Sequence, residues 1–372
     1  MEGMQTLPLP VELLPETVRR FGDPKALGPA KMMAARGLVP VKGGDLVTLL
    51  CQLSVDEDPT VSDAARSTLD KMPKNVLKPA CASPLHPAVL DLLSERFRND
   101  DEVLETIVLN KGVLPATIAG LARACSESIS ELIAVNQELL LAHPVIIESL
   151  YKNKKTRMST ADRLIELAAR NGVTLQGIHS FQAHVEAIQG QLIPEPTNEP
   201  LPSDESFAEA LIHDDSEDAI EIDKADGTES VKEQFKPLMF RIRDMNVAEK
   251  IRLSIVGDAA ARAILVRDPN RLVCTAAISS PSMTLKEASD IAQSREIGED
   301  ILRYIGGRRE WLRSYEIKRG LVFNPKTPIG ISMRFLTHMR LNDLKAISKS
   351  RNVAPAIKNL ARQQLEKRQK KT

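Results

Sequence analysis

Five prolines in the N-terminal half stand at almost equal intervals: Pro29, Pro59, Pro87, Pro115 and Pro144, separated by 30, 28, 28 and 29 residues. Proline suits the first turn of a helix, where its missing N–H would have had no partner anyway. The spacing therefore predicts one helix start per repeat of about 28 residues. Asp58 precedes Pro59 as a side-chain cap, and His86 and His143 take the same place before Pro87 and Pro144.

The residues that follow repeat as well. Three positions after each proline stand Met32, Ser62, Leu90, Ile118 and Ile147, and six positions after stand Ala35, Ala65, Leu93, Leu121 and Leu150. These offsets fall on one helix face, and all but Ser62 are apolar. A second apolar cluster follows in the units, as in Leu46/Leu49/Leu50, Val103/Leu104/Ile107, Ile129/Leu132/Ile133 and Leu164/Ile165/Leu167. Each unit reads as two short helices that cannot bury their stripes alone but can do so when stacked, which is the basis of an α-solenoid.

Charge divides the 372 residues into three stretches: −3 over 1–190, −12 over 191–230 and +15 over 231–372. The middle stretch opens on Pro194, Pro196, Pro200 and Pro202 and continues as a run dense in Asp and Glu. Such composition favours a flexible linker. Within it, Phe207, Leu211 and Ile212 form a candidate docking motif. The organisation expected is an arm at 1–25, a helical-repeat domain at 26–190, the acidic linker at 191–230, and a basic helical-repeat domain with a basic tail at 231–372.

Helical signals resume after residue 231. Thr284 and Glu287 have capping-box spacing. Thr327 and Pro328 read as cap and first helical residue, and Pro355 follows Pro328 by 27 residues. The gap of 44 between Thr284 and Pro328 suggests one irregular or extended unit.

The phrases VLNKGVLPATIAGLA (108–122), FNPKTPIGISMRFLT (323–337) and SRNVAPAIKNLA (350–361) resemble units of the HEAT-like and leucine-rich-variant α-solenoids. In those repeats an Asn and a Pro a few residues apart join the helix closing one unit to the helix opening the next. The resemblance covers about 26–190 and 235–372 and implies a right-handed superhelix with a concave ligand surface. It transfers no catalytic residue. Some leucine-rich-variant proteins carry a Cys-rich iron–sulfur segment, and this chain has no matching cluster.

Residue patterns that carry chemistry are sparse. Four cysteines at wide spacing fit a reducing compartment, and six histidines form no ligand set. Gly43–Gly44 lacks the Gly-Lys-Ser/Thr of a P-loop, and Gly306–Gly307 reads as a break between helices. No catalytic residue, metal ligand or cofactor is expected. HEAT-like folds include DNA glycosylases, for which Trp311, flanked by Arg308, Arg309 and Arg313, is the only candidate centre; Trp311 is read instead as core, with Leu302, Tyr304, Leu312 and Tyr315. Aromatics make up only 3% of the chain, which counts against modules that stack bases.

The basic stretch is the better lead. Arg303, Arg308, Arg309, Arg313, Lys318, Arg319, Arg334 and Arg340 form a candidate face for an anionic partner, with Lys367, Arg368, Lys370 and Lys371 in the tail. The sequence carries no secretory signal and no apolar run long enough to span a membrane. It predicts an all-α, non-catalytic cytoplasmic adaptor or scaffold that binds a protein partner. A nucleic-acid-binding protein using the same basic face is the alternative, and the oligomeric state is left open. The opposite charges of adjoining segments also suggest that the acidic stretch folds back on the basic half and weakens its binding.

Overall fold

The computed structural model describes residues 6–212, 219–222 and 229–369. The protein is an all-α solenoid divided into two compact units, 1–173 and 174–372. Among the described residues, strand is confined to an antiparallel ribbon of Ile220–Ile222 with Glu229–Val231.

In the first unit each proline of the period lies in the first two positions of a helix: Gly28–Ala35, Pro59–Asp70, Pro87–Arg96, Pro115–Ala122 and Pro144–Lys152. These form one layer. Gly43–Leu53, Lys74–Ala82, Asp101–Val108, Glu127–Ala134 and Met158–Arg170 form the other, each packed on the next. Leu90, Leu93, Ile147 and Leu150 of the apolar columns are fully buried, as are Val103, Leu104 and Ile107 of the second cluster. Burying one such aliphatic side chain stabilises by about 1.5–3 kcal/mol, so the core is distributed over many small contributions.

Helix starts follow local chemistry. Asp58 accepts from the Thr60 N–H, and His86 accepts through Nδ1 from the Ala88 N–H at 3.2 Å. His143 makes no such cap: its backbone, at φ −133° and ψ 75°, also closes the preceding helix Gln137–Ala142, and its side chain does not bond the turn it precedes.

Three asparagines stitch the layers. Asn110 Nδ2 donates to the carbonyls of Cys81 and Ser83 at 2.6 and 2.9 Å. Asn153 Nδ2 donates to those of Ala122 and Cys125 at 3.1 and 3.0 Å. Asn324 Nδ2 does the same to Ala292 and Ser294 at 3.0 and 2.7 Å. In each case Oδ1 accepts the N–H two residues on, from Gly112, Lys155 or Lys326. A helix's last carbonyls have no intrahelical donor, and the asparagine of the next same-layer helix supplies one. Two of the three phrases that carry the family resemblance contain such an asparagine. In the third, Asn352 is exposed and its backbone N–H bonds Ser350 Oγ.

Polar contacts obey the same period. Lys74 pairs with Asp100, Arg96 with Asp70, and Arg157 with Glu127, each across about one repeat. The described part of the N-terminal arm belongs to this unit. Leu9, Leu14 and Val18 are buried, helix Glu16–Gly22 lies on Gly43–Leu53, and the Gln52 side chain bonds both the N–H and the carbonyl of Leu9. A solenoid's first repeat would otherwise expose an apolar end.

The second unit repeats the two layers. One contains Lys236–Asp244, Ala259–Leu265, Leu285–Gln293, Tyr315–Phe323 and Leu341–Lys349. The other contains Val247–Val256, Arg271–Ile278, Glu299–Gly307, Ile329–Leu336 and Pro355–Gln369. Thr284 and Glu287 form the expected capping box, with Glu287 N–H donating to Thr284 Oγ1 at 3.2 Å. The gap of 44 residues is not an irregular unit: Thr284 opens a helix of the first layer and Pro328 precedes one of the second. Pro328, not Thr327, is the cap residue of that helix, and Thr327 Oγ1 is buried without a partner among the described residues. Gly306 stands in the last turn of its helix, where a Cβ would lie 2.9 Å from Ile331, so its lack of a side chain permits the close approach of Glu299–Gly307 to Ile329–Leu336.

The division between the units falls at 173/174, ahead of the acidic stretch. Helix Phe181–Ile188 packs on Val247–Val256 and Arg271–Ile278. Helix Pro202–Ala210 packs on Lys236–Asp244, and strand Ile220–Ile222 on Ala259–Leu265. Residues 213–218 and 223–228 of the acidic stretch, and Lys370 and Lys371 of the basic tail, lie outside the described residues.

Candidate functional site

The candidate arginines lie on successive helices of the second unit, in two groups. Arg303 lies on the exposed side of Glu299–Gly307, paired with Glu299 one turn away at 2.5 Å. Arg308 follows that helix, donates from Nε to Tyr304 Oη at 2.9 Å, and holds its guanidinium 5.0 Å from the Tyr304 ring centre and 6.0 Å from that of Trp311. Arg309 and Arg313 flank Trp311 on the intervening turn and are exposed. Arg334 donates to the Gly306 carbonyl and lies 4.5 Å over the Phe335 ring.

A second group forms around Asp343. Tyr315 Oη donates to one carboxylate oxygen, and Arg319 Nε donates to the other at 2.9 Å. Arg319 stacks 5.0 Å over Phe323, and Arg340 lies 4.4 Å over Tyr315. Lys318 is half-buried on the same helix as Arg319. Burial of Asp343 opposes its ionisation, but the hydrogen bonds from Tyr315 and Arg319 outweigh that and hold its carboxyl below the usual carboxylate range. The Tyr315 hydroxyl is pushed up by burial and by the neighbouring carboxylate, so it stays protonated at neutral pH.

Both units pair some of their cations with carboxylates, the second through Lys250, Arg262, Arg267 and Arg271. In the first, Lys31, Lys74, Lys78, Arg96, Arg157 and Arg163 are each paired with a carboxylate. In the second, no carboxylate among the described residues lies within ion-pair distance of Arg308, Arg309, Arg313, Arg334 or Arg340. Three of these five lie over aromatic rings, as does Arg319, which also pairs with Asp343. A stacked guanidinium gains roughly 0.5–1 kcal/mol at an exposed site; Arg308 uses Nε and one Nη on Tyr304 Oη and Arg334 one Nη on the Gly306 carbonyl, and their remaining N–H groups can meet a carboxylate or phosphate. The rings concerned are Tyr304, Phe323, Phe335 and Tyr315. Trp311 is half-buried in an edge-to-face pair with Tyr304 at 6.0 Å, not a core residue, because the short turn that carries it lies on the surface of the two helices it joins.

The linker motif divides. Phe207 is 2% exposed, and buried Arg252 lies 4.9 Å over its ring. Phe207 is therefore taken up inside the second unit and is not presented to a partner. Leu211 is half-buried and Ile212 is 75% exposed. Glu209 pairs with Arg241, and Glu229 with Arg267. These acidic contacts lie on 236–267, away in sequence from the candidate face at 303–340.

Sequence reading missed Arg295, which shares a cleft with Arg319, Phe323, Ser350 and Asn352. Its only signal was charge, and the cleft comes from three chain segments that no local pattern connects.

Among the described residues no group of His, Cys, Asp and Glu is placed to hold a metal ion, and no helix is long and apolar enough to cross a membrane. All four cysteines are unpaired. Burial pushes the Cys81 and Cys125 thiols up to about 11, which keeps them from acting as nucleophiles at neutral pH. The fold is that of an all-α solenoid whose second unit carries two groups of arginines. Compared with family models, curated proteins and solved structures, the chain matches none.

Proposed function

We propose that the chain is a non-catalytic adaptor or scaffold of the cytoplasm, binding protein partners through its helical-repeat surfaces and an acidic partner through the arginine face of its second unit. The observation that carries this reading is the set of ring-stacked guanidiniums without a carboxylate: Arg308, Arg334 and Arg340. Arg157, Arg163 and Arg262, by contrast, each pair with a carboxylate about one repeat away. Orienting the guanidinium in advance lowers the entropy lost when an anionic partner is bound.

Trp311 is the only tryptophan and lies beside Arg308, so its fluorescence reports on the face. Titrating the full chain with a Glu/Asp-rich peptide, and separately with a DNA duplex, at low and near-physiological salt tests the reading. The expected result is a saturable Trp311 change with the peptide that persists at physiological salt and is lost in Arg308→Glu/Arg309→Glu. Retention of duplex binding at physiological salt, with no response to the peptide, would place nucleic acid in the partner's role.

A further inference from the structure

We propose that the cleft bounded by the ends of helices Leu285–Gln293 and Tyr315–Phe323 and the loop at 350–352 receives a single phosphomonoester group carried by the acidic partner. The inference rests on the reading of the arginine face and adds a specific anchor to it. The cleft has a volume of about 240 Å³, below the ~300–1,000 Å³ of drug-sized pockets. It is of a size for one side-chain terminus.

Two guanidiniums line it. Arg295 is exposed and has no carboxylate within ion-pair distance among the described residues. Arg319 is fixed from below by the Phe323 ring and from one side by Asp343, which engages only Nε. Its two Nη groups have no partner among the described residues. Ser350 Oγ accepts from the Asn352 N–H at 3.3 Å, which leaves the hydroxyl hydrogen to donate into the cleft. Gly320 contributes no side chain to the wall, and a Cβ there would lie 3.0 Å from Gln293.

The opposing effect is the helix dipole. Helices Leu285–Gln293, Tyr315–Phe323 and Leu341–Lys349 all direct their C-terminal ends toward this region, and those ends disfavour anions by about 0.3–1 kcal/mol each. Asn324 offsets part of this by taking up the Ala292 and Ser294 carbonyls. A charge-assisted bond to an ionised group is worth ~1.5–3 kcal/mol, so two arginines prevail. A carboxylate's two oxygens are satisfied by one guanidinium fork. A dianion with three acceptor oxygens can engage Arg295, Arg319 and Ser350 together.

The test uses the full chain and a fluorescein-labelled Glu/Asp-rich peptide with one phosphoserine, its unphosphorylated twin, and inorganic phosphate as competitor. The phosphopeptide is expected to bind at least ten-fold tighter than the twin by anisotropy, with millimolar phosphate abolishing the difference. Arg295→Gln, a substitution at an exposed position, should reduce the ratio to near one without changing the melting temperature. Equal binding of the two peptides, or a ratio unchanged in Arg295→Gln, overturns the proposal. Arg295-dependent binding of inorganic phosphate without preference for the phosphopeptide overturns the partner protein as the source. The twin reports the arginine face alone. A chain that binds neither peptide overturns the reading of the face, whereas one that binds both equally overturns only the cleft.

Discussion

Asn153 shows how much of this fold depends on single polar side chains. It is 3% exposed, and its amide satisfies two carbonyls at the end of the preceding same-layer helix. Asn153→Leu keeps the volume but strands those acceptors. Leaving a buried group without its partner costs about 1–3 kcal/mol, so the first unit should lose ~2–4 kcal/mol, read as a fall in melting temperature of roughly 5–15 °C. A fall below 2 °C would mean that water replaces the amide without loss. His86 offers a pH-dependent case. Burial holds its pKa below the ordinary value, and Nδ1 accepts from the Ala88 N–H only while unprotonated. A depressed folded pKa gives a contribution that is complete above the unfolded value near 6.5 and is lost as pH falls through the folded one. A helix N-cap is worth about 1 kcal/mol. Between pH 7.5 and 5 the wild-type chain should therefore lose that much more stability than His86→Asn, which retains an acceptor throughout. Parallel profiles would show that His86 does not cap in solution.

At the scale of elements, the proline period and its apolar columns predicted one layer of the first unit almost helix by helix, because each repeat states its own start and its own buried face. The caps were not legible. Residues 1–25 read as an arm and 191–230 as a linker, since neither has the periodicity of a repeat. Yet Leu14 and Val18 close one end of the first solenoid, and Phe207 closes part of the second. A cap has one face to bury and a polar outer side, so its composition approaches that of a linker. The arginine face was legible as charge but not as geometry. Whether Arg319 pairs with Asp343 or Arg340 lies over Tyr315 depends on helices that meet only after stacking. Phe207→Ala tests the cap directly. Removing a buried Phe costs about 3–5 kcal/mol, and the loss should expose 189–212 to limited proteolysis while Arg252 loses its ring. Unchanged protease resistance would show that the helix Pro202–Ala210 is held by its ion pair to Arg241 and not by Phe207.

At the scale of the molecule, zero net charge conceals segments of −12 and +15. Part of the acidic stretch is neutralised within the chain, through Glu209 with Arg241 and Glu229 with Arg267. Most of the basic surplus at 303–340 is not, and no described contact from the acidic stretch reaches it. A chain with no net charge lacks the long-range repulsion that keeps copies apart, while its segregated charges attract between copies. Screening acts over about 10 Å at 0.1 M salt and about 30 Å at 0.01 M, so this attraction should appear only at low ionic strength. Light scattering should show self-association at 10 mM NaCl that disappears by 150 mM, the reverse of an association driven by apolar surface. Arg309→Glu/Arg313→Glu places two anions on the face and should weaken it at every salt concentration. Association that instead strengthens with salt would assign it to exposed apolar residues such as Leu109 and Val135, which are 63% and 70% exposed at the ends of neighbouring helices in the first unit.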